Sequence, residues 1–187
     1  MKPFKAIAPL CIVATLVCAQ SAFVAQNVHL YATASDGSAL GELIVASQVN
    51  VLSQKGEFTE VEFVGFMPEG STKAYEKIGM LMVGFEAPTP STYKVIGQKK
   101  DEYESIWLNV SVKGFVKTKA LKETKASILE EGKAAFQAKC GTCHALHPEG
   151  EFEANVWPSI LEAMSPQAGL SSAERYSIEK YLQNYQH

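Results

Sequence analysis

The spacing of apolar residues changes once along the chain, near residue 122. From about Val28 to Leu121, short runs rich in β-branched and aromatic residues alternate with polar positions and are interrupted by Gly, Pro, Ser and Asp. This alternation indicates β-strands that bury one face. Beyond residue 122 the apolar residues follow a helical spacing instead, which indicates amphipathic helices. The pattern therefore predicts a sheet followed by helices.

Two segments of the strand region repeat each other. Phe58–Met67 and Trp107–Val116 match at an offset of 49 residues, and each ends in Gly-Phe plus an apolar residue. Each follows another alternating run, Gln48–Leu52 in the first unit and Thr92–Ile96 in the second, so each unit is predicted to form two hairpin-connected strands. The pattern is similar to that of bacterial SH3-like barrels, which implies a small β-barrel domain.

Two capping boxes mark the predicted helices. Ser127–Glu130 predicts a helix from about Ile128 to Lys139, and Ser171–Glu174 predicts a second helix close to the end of the chain. Gly132 offers no side chain on the first helix, which would let the terminal helix approach it closely. The two helices are therefore expected to pack on each other.

The start of the chain has the composition of an export signal. Lys2 and Lys5 precede the apolar run Ala6–Ala19, which is shorter than the ~20 residues that cross a bilayer. We therefore predict a cleaved signal peptide over residues 1–25 and a periplasmic location. Cleavage after Ala19, after Ser21 or after Ala25 remains open. A lipid anchor on Cys18 is disfavoured because the bulky Val17 precedes it.

The overall charge argues against one class of function. The 187 residues include 17 basic and 20 acidic side chains, giving a net charge of −3. Proteins that bind nucleic acid usually have a basic excess, so no nucleic-acid partner is expected.

The strongest chemical motif is Cys140-Gly141-Thr142-Cys143-His144, which has the form of a c-type haem attachment site. Two thiols three positions apart can reach the two vinyl groups of a porphyrin, and the adjacent imidazole can ligate the iron. A thioredoxin-like dithiol is one alternative, but it would require a βαβ context. Half of a zinc site is another, and it would draw its further ligands from His147, His187 or His29.

The helical region as a whole resembles a small cytochrome c domain. The resemblance is given by Gly132 and Phe136 at four-residue intervals before Cys140, and by the aromatic terminal helix. With Ala154–Pro158, Met164 and Tyr181–Gln183 included, the chain resembles the C-terminal monohaem region of TorC-type pentahaem cytochromes. In that family an SH3-like segment precedes this region, as is predicted here.

The resemblance implies an α+β multidomain fold, with a small SH3-like β-barrel domain followed by an all-α cytochrome c domain. The predicted divisions are a signal peptide at residues 1–25, an SH3-like β domain at residues 26–122 and a monohaem cytochrome c domain at residues 123–187. A fragment of residues 122–187 is expected to incorporate haem by itself, with the β domain as a docking surface.

The resemblance also implies the cofactor residues. One haem c is expected to be attached covalently to Cys140 and Cys143, with His144 as the proximal iron ligand and Met164 as the distal ligand. Trp157 is expected to pack against the porphyrin. His187 and an open sixth position are the alternatives to Met164.

The implied function is electron transfer without catalysis. TorC-type cytochromes serve trimethylamine N-oxide reductase in anaerobic respiration, so the expected partner is a periplasmic terminal reductase, a molybdenum enzyme acting on N-oxides or S-oxides. A membrane multihaem cytochrome that oxidises quinol is the expected donor. The alternatives are a haem-based sensor with an open sixth site and an SH3-domain protein that binds the cell wall, with an accessory haem.

Three acidic residues follow the haem motif, namely Glu149, Glu151 and Glu153. They form either a solvated loop or a rim on which a positively charged partner docks.

Overall fold

The computed structural model describes residues 20–185, in which ten strands are followed by three helices. The strands are β1 (Gln20–Val24), β2 (Val28–Tyr31), β3 (Ala39–Leu43), β4 (Gln48–Lys55), β5 (Phe58–Met67), β6 (Lys73–Tyr75), β7 (Val83–Glu86), β8 (Lys94–Lys100), β9 (Ile106–Lys117) and β10 (Leu121–Lys122). The helices are α1 (Ala126–Cys140), α2 (Trp157–Ala168) and α3 (Ser172–Tyr185). Within residues 20–185, no helix has the length and apolar character needed to cross a membrane.

Six of the strands close into a barrel. Pairing runs from β5 through β6, β7, β3, β2 and β9, and β9 pairs with β5 again. Closure of the ring satisfies strand edges that would otherwise be exposed. The remaining strands extend the sheet outside the ring, because β8 adds to β9 while β4, β1 and β10 add in turn to β5.

The two repeated segments are neighbouring strands of this barrel. They form β5 and most of β9, which run antiparallel from the pair Phe58 and Lys117 to the pair Met67 and Leu108. Each also forms an antiparallel hairpin with the strand before it, β4 with β5 and β8 with β9. The predicted pair of hairpins is therefore confirmed. The repeat corresponds to two long strands that together form one wall of the barrel.

The barrel core is built from the inward positions of these strands. Alternate residues of β5 are buried, as the period-two pattern requires. The rings of Phe63 and Phe85 lie 6.2 Å apart, and Tyr93 contacts Phe85 edge-on at 5.7 Å. At Gly84, a Cβ would lie 2.3 Å from the Phe63 ring, so a side chain there would displace this aromatic core.

The two predicted helices exist, but only one of the predicted capping boxes forms. At α3 the Glu174 amide donates to Ser171 Oγ (3.2 Å), and the Ser171 amide donates to Glu174 Oε2 (2.9 Å). At α1 the N-cap is Lys125, and no side chain caps the helix. Ser127 is the second residue inside the helix, two residues past the N-cap, so its side chain is not placed to act as a cap.

The expected close contact between α1 and α3 is confirmed. A Cβ on Gly132 would lie 2.3 Å from the Ser177 carbonyl oxygen and 2.9 Å from Tyr181 Cβ. The rings of Phe136 and Tyr181 lie 6.3 Å apart beside this contact. Glycine is therefore required where the two helix backbones meet.

The predicted fold class is wrong. The chain is not a small SH3-like barrel followed by an all-α cytochrome c domain, because it is β-rich, with ten strands including a six-stranded barrel and only three C-terminal helices in the described residues. Ile128 of α1 and Tyr176 of α3 are buried in one cluster with Val83 of β7 and with the connection between β3 and β4, which contributes Ile44, Val45 and Ala46. The helices thus use the sheet as part of their core. Apolar spacing identifies a buried face but not the element that covers it.

Candidate functional site

The end of α1 positions the first residue of the CxxCH motif. Cys140 is the last residue of the helix, and Cys143 lies exposed in the turn that follows. Burial raises the pKa of the Cys140 thiol above its ordinary value. The Thr142 hydroxyl donates to the Lys139 carbonyl (2.9 Å), which holds the turn against the end of the helix.

The histidine of the motif presents one ring nitrogen to its surroundings. His144 Nδ1 lies 2.7 Å from the Ala145 carbonyl oxygen. A carbonyl can only accept, so Nδ1 carries the proton and Nε2 has a free lone pair for a metal. The His147 ring lies 5.5 Å from the His144 ring, and its Nδ1 pairs with Glu151 Oε2 at 2.9 Å.

Met164 lies on α2, a helix that was not predicted. The sequence analysis recognised only α1 and α3, although signals for α2 were present. Pro158 lies in its first turn, where proline is favoured, and Gly169 ends it in a left-handed conformation at φ 61°. The sequence analysis predicts a loop between the two helices, so α2 is a finding of the structure.

The structure brings the five predicted cofactor residues to one cavity. Cys140, Cys143, His144, Trp157 and Met164 all line it. Sequence reasoning missed the rest of the lining, to which α2 contributes most: Ile160, Leu161, Gln167 and Ala168, together with Lys139. The alternative ligand His187 lies outside the described residues.

Trp157 is a buried part of the cavity lining. The side chain is 1% exposed, and its ring packs edge-on against Phe152 at 5.0 Å and Phe136 at 6.2 Å. Its Nε1 is buried and has no hydrogen-bond acceptor among residues 20–185. A buried donor without an acceptor is costly, so a cofactor that supplies an acceptor such as a carboxylate would suit this position.

The acidic loop after the motif is partly used within the molecule. Tyr181 donates its hydroxyl proton to Glu149 (2.9 Å), and Glu151 pairs with His147. Backbone hydrogen bonding and the Tyr181 hydroxyl lower the pKa of Glu149. Glu149 therefore holds the loop against α3, and Glu151 forms a contact within the loop, so neither is an unengaged surface charge.

The comparisons with known proteins identify the family. The family described as the TorC third cytochrome c domain matches residues 18–121, more than half of the chain. The chain belongs to this family. Two curated relatives, both named cytochrome c-type protein TorC, come from Escherichia coli K12 and Escherichia coli O157:H7, and each is 21% identical over 165 residues. The alignment covers 82% of this chain and 41% of each relative, so the chain spans about two fifths of their length. No solved structure matches the chain.

The match to the TorC third cytochrome c domain lies on the sheet and ends at Leu121, before the helices begin. Membership of a cytochrome c family implies covalently bound haem c. The residues of the cavity fit that group, because they offer two thiols, an imidazole with a free Nε2 and an orphaned indole donor. The CxxCH motif lies outside the matched range, so the assignment of haem to the helical region depends on the motif and this cavity.

Proposed function

We propose that this TorC-family chain is a periplasmic monohaem c-type cytochrome that transfers electrons and is not itself an enzyme. The observation that supports it most strongly is the one cavity lined by Cys140, Cys143, His144 and Met164. If haem c is bound, the four residues would provide covalent attachment through two thiols and iron ligands from an imidazole and a thioether.

Each residue has a defined task in this proposal. When bound, haem c supplies a one-electron Fe(III)/Fe(II) couple. Cys140 and Cys143 would hold the macrocycle through thioether bonds, and His144 Nε2 would ligate the iron while the Ala145 carbonyl keeps the imidazole ring in one orientation. Met164 would supply the other iron ligand, and the buried Trp157 adds an apolar wall to the cavity.

The proposed partners follow from the family. TorC-type cytochromes, which the chain resembles in sequence, deliver electrons to trimethylamine N-oxide reductase. We therefore propose a periplasmic molybdenum reductase acting on N-oxides or S-oxides as the acceptor. A membrane multihaem cytochrome that oxidises quinol is the proposed donor.

Covalent attachment is tested first. The exported protein should keep its haem through acid-acetone extraction, because thioether bonds survive this treatment. Cys140→Ala and Cys143→Ala should each greatly lower the yield of holoprotein. Haem that extracts freely from the wild type, or bound zinc without haem, would contradict the proposal.

Electron transfer is tested by reoxidation. The reduced holoprotein is mixed with candidate reductases, with and without their N-oxide or S-oxide substrates, and the loss of the ferrous spectrum is followed. Rapid reoxidation that depends on both reductase and substrate is expected. Reoxidation at the same rate without the reductase would contradict a carrier role.

The sixth ligand separates the carrier from a haem-based sensor. Met164 lines the cavity and is 47% exposed. If Met164 ligates, Met164→Ala should admit carbon monoxide to the reduced protein and remove the sulfur-to-iron band in the near-red spectrum. Met164→His should keep six ligands but lower the potential, because imidazole favours Fe(III) more than a thioether does.

The control is Val95→Ala, because Val95 lies on β8, is 53% exposed and does not line this cavity. This variant should keep the wild-type band and potential. Carbon monoxide binding by the wild type itself would support the sensor, and an unchanged Met164→Ala spectrum would remove Met164 as a ligand.

A further inference from the structure

Asn155 joins the segment before α2 to the barrel. Its Oδ1 accepts the Leu81 amide at 2.7 Å, and its Nδ2 donates to the Gly79 carbonyl at 2.7 Å. Residues 79–81 belong to the connection between β6 and β7, here named the barrel loop. Both ends of the amide are used, so neither aspartate nor a hydrophobic residue could make the same pair of bonds.

A second amide closes the same junction from α3. Gln183 Nε2 donates to the Leu81 carbonyl (3.2 Å) and to the Ala154 carbonyl (3.3 Å). Gln183 is completely buried. The barrel loop, the segment before α2 and the terminal helix are thus bound to one another at one point, although they lie far apart in the sequence.

This junction lies at the base of the helix that bears Met164. α2 begins at Trp157, two residues after Asn155, and Met164 lies seven residues further along it. At 1.5 Å per residue, a tilt of about 10° at the base would displace Met164 by roughly 2 Å. Trp157 and Leu161 bury the first half of the helix against α1 and α3, whereas Met164 is half exposed. The position of the far end therefore depends on how firmly the base is held.

We propose that Asn155 is a positioning residue that fixes α2 on the barrel loop and so sets the place of Met164 relative to His144. The inference rests on the proposed function, because it assumes that Met164 ligates a haem iron and that the barrel helps to hold Met164 in place. The barrel then helps to position the sixth ligand, in addition to any role as a docking surface. Asn155 itself touches neither ligand in the contacts of the described residues.

The test compares Asn155→Ala and Asn155→Asp with the wild type in the full exported holoprotein. Both variants should keep covalent haem, because the two cysteines are unchanged. Asn155→Ala should weaken the sulfur-to-iron band, lower the potential and raise the equilibrium constant for carbon monoxide binding to the reduced protein about tenfold, equivalent to about 1.4 kcal/mol. Asn155→Asp keeps the acceptor and loses the donor, so its effects should be intermediate.

The matched control is Asn27→Ala. Asn27 Oδ1 accepts the Val45 amide at 3.0 Å within the sheet region, so this variant also loses an asparagine bond to the backbone but not the junction. It should leave the band, the potential and carbon monoxide binding as in the wild type. Circular dichroism would confirm that each variant is folded.

The outcomes separate the two proposals. A wild type without covalent haem overturns the proposed function. A wild type that has haem and the band, with Asn155→Ala indistinguishable from it, overturns the positioning role alone. Equal changes in Asn155→Ala and Asn27→Ala would also overturn it, because they would reflect a general loss of stability.

Discussion

Glu174 is a surface carboxylate that its surroundings keep ionised. The backbone amide and hydroxyl of Ser171 donate to it, and Lys139 pairs with it at 3.0 Å, which together lower its pKa from 4.5 to about 2. Lys139 directly precedes Cys140. This one side chain therefore caps α3 and also ties α3 to the end of α1, where the motif begins.

The lowered pKa predicts a loss of stability in acid. A carboxyl whose pKa is lower in the folded state stabilises the fold above its unfolded pKa and loses that contribution as pH falls through the folded value. Between pH 4.5 and about 2, the wild type should therefore lose stability more steeply than Glu174→Gln. Urea unfolding of both proteins across this range measures the difference.

The control for this prediction is Ser172→Ala, the neighbouring serine at the start of α3, which should keep the wild-type slope. Parallel pH profiles for the wild type and Glu174→Gln would show that the capping box contributes nothing to acid stability.

At the scale of elements, α3 is attached to the barrel through buried charges. Lys180 is 1% exposed; its ammonium donates to Glu76 and lies 3.3 Å from Ser47 Oγ. Burial alone would raise the pKa of Glu76, but Lys180 and Lys125 reverse this effect and the pKa is lowered. The contact is polar and specific, so it fixes one docking geometry for the helix.

Removing one partner of this pair should be costly. Glu76→Gln leaves the Lys180 ammonium buried without its counter-charge, for which we expect a loss of about 3–5 kcal/mol in the free energy of unfolding. The double variant Glu76→Gln with Lys180→Met should lose less than the sum of the single variants, because the two sites are coupled. Urea unfolding of the holoprotein measures all three.

The exposed pair Lys100 and Glu104, at 2.5 Å, is the control for the buried pair. Glu104→Gln should change stability by no more than about 1 kcal/mol. A Glu76→Gln variant as mild as this control would show that the buried pair does not stabilise the docking of α3.

The same interface changes what is expected of the isolated helical region. A fragment of residues 122–187 would lack Glu76, and its Ile128 and Tyr176 would lose the barrel residues that cover them. We now expect this fragment not to fold or to hold haem in a native site, contrary to the expectation from the sequence. Far-UV circular dichroism and haem yield, measured beside the full mature chain, would decide. A folded fragment with wild-type haem content would contradict the docking described above.

At the scale of the whole molecule, the start of the described chain is part of the sheet. β1 pairs with β4 and β10, and its Ala22 and Val24 are buried in the barrel core cluster. The predicted signal peptide over residues 1–25 overlaps this strand, and its residues 1–19 lie outside the described part of the chain. The three cleavage positions that the sequence leaves open therefore differ in how much of β1 they would keep.

We predict cleavage after Ala19, which keeps β1 intact. Cleavage after Ala25 would remove the strand, leaving β4 and β10 without their shared neighbour and the core without Val24. Intact mass and N-terminal sequencing of the exported protein should show Gln20 as the first residue. A stable mature protein that begins at Gln26 would contradict this prediction.

Local patterns were enough to predict several parts of the molecule. The Cys140 to His144 motif, the two strand hairpins, the terminal capping box and the contact at Gly132 each depend on residues a few positions apart or on one helix face. Covalent spacing and the period of the backbone determine such features without reference to the rest of the chain.

Other parts were decided only by the tertiary structure. The closure of six strands, the burial of Lys180 on Glu76 and the junction at Asn155 each join residues that are distant in sequence: 74 positions separate Leu81 from Asn155, and 104 separate Glu76 from Lys180. The sequence by itself determined that strands precede helices and what chemistry the motif offers. The packing of the elements in three dimensions decides which surface covers each apolar face and which carboxylate neutralises the buried lysine. Local spacing along the sequence encodes neither.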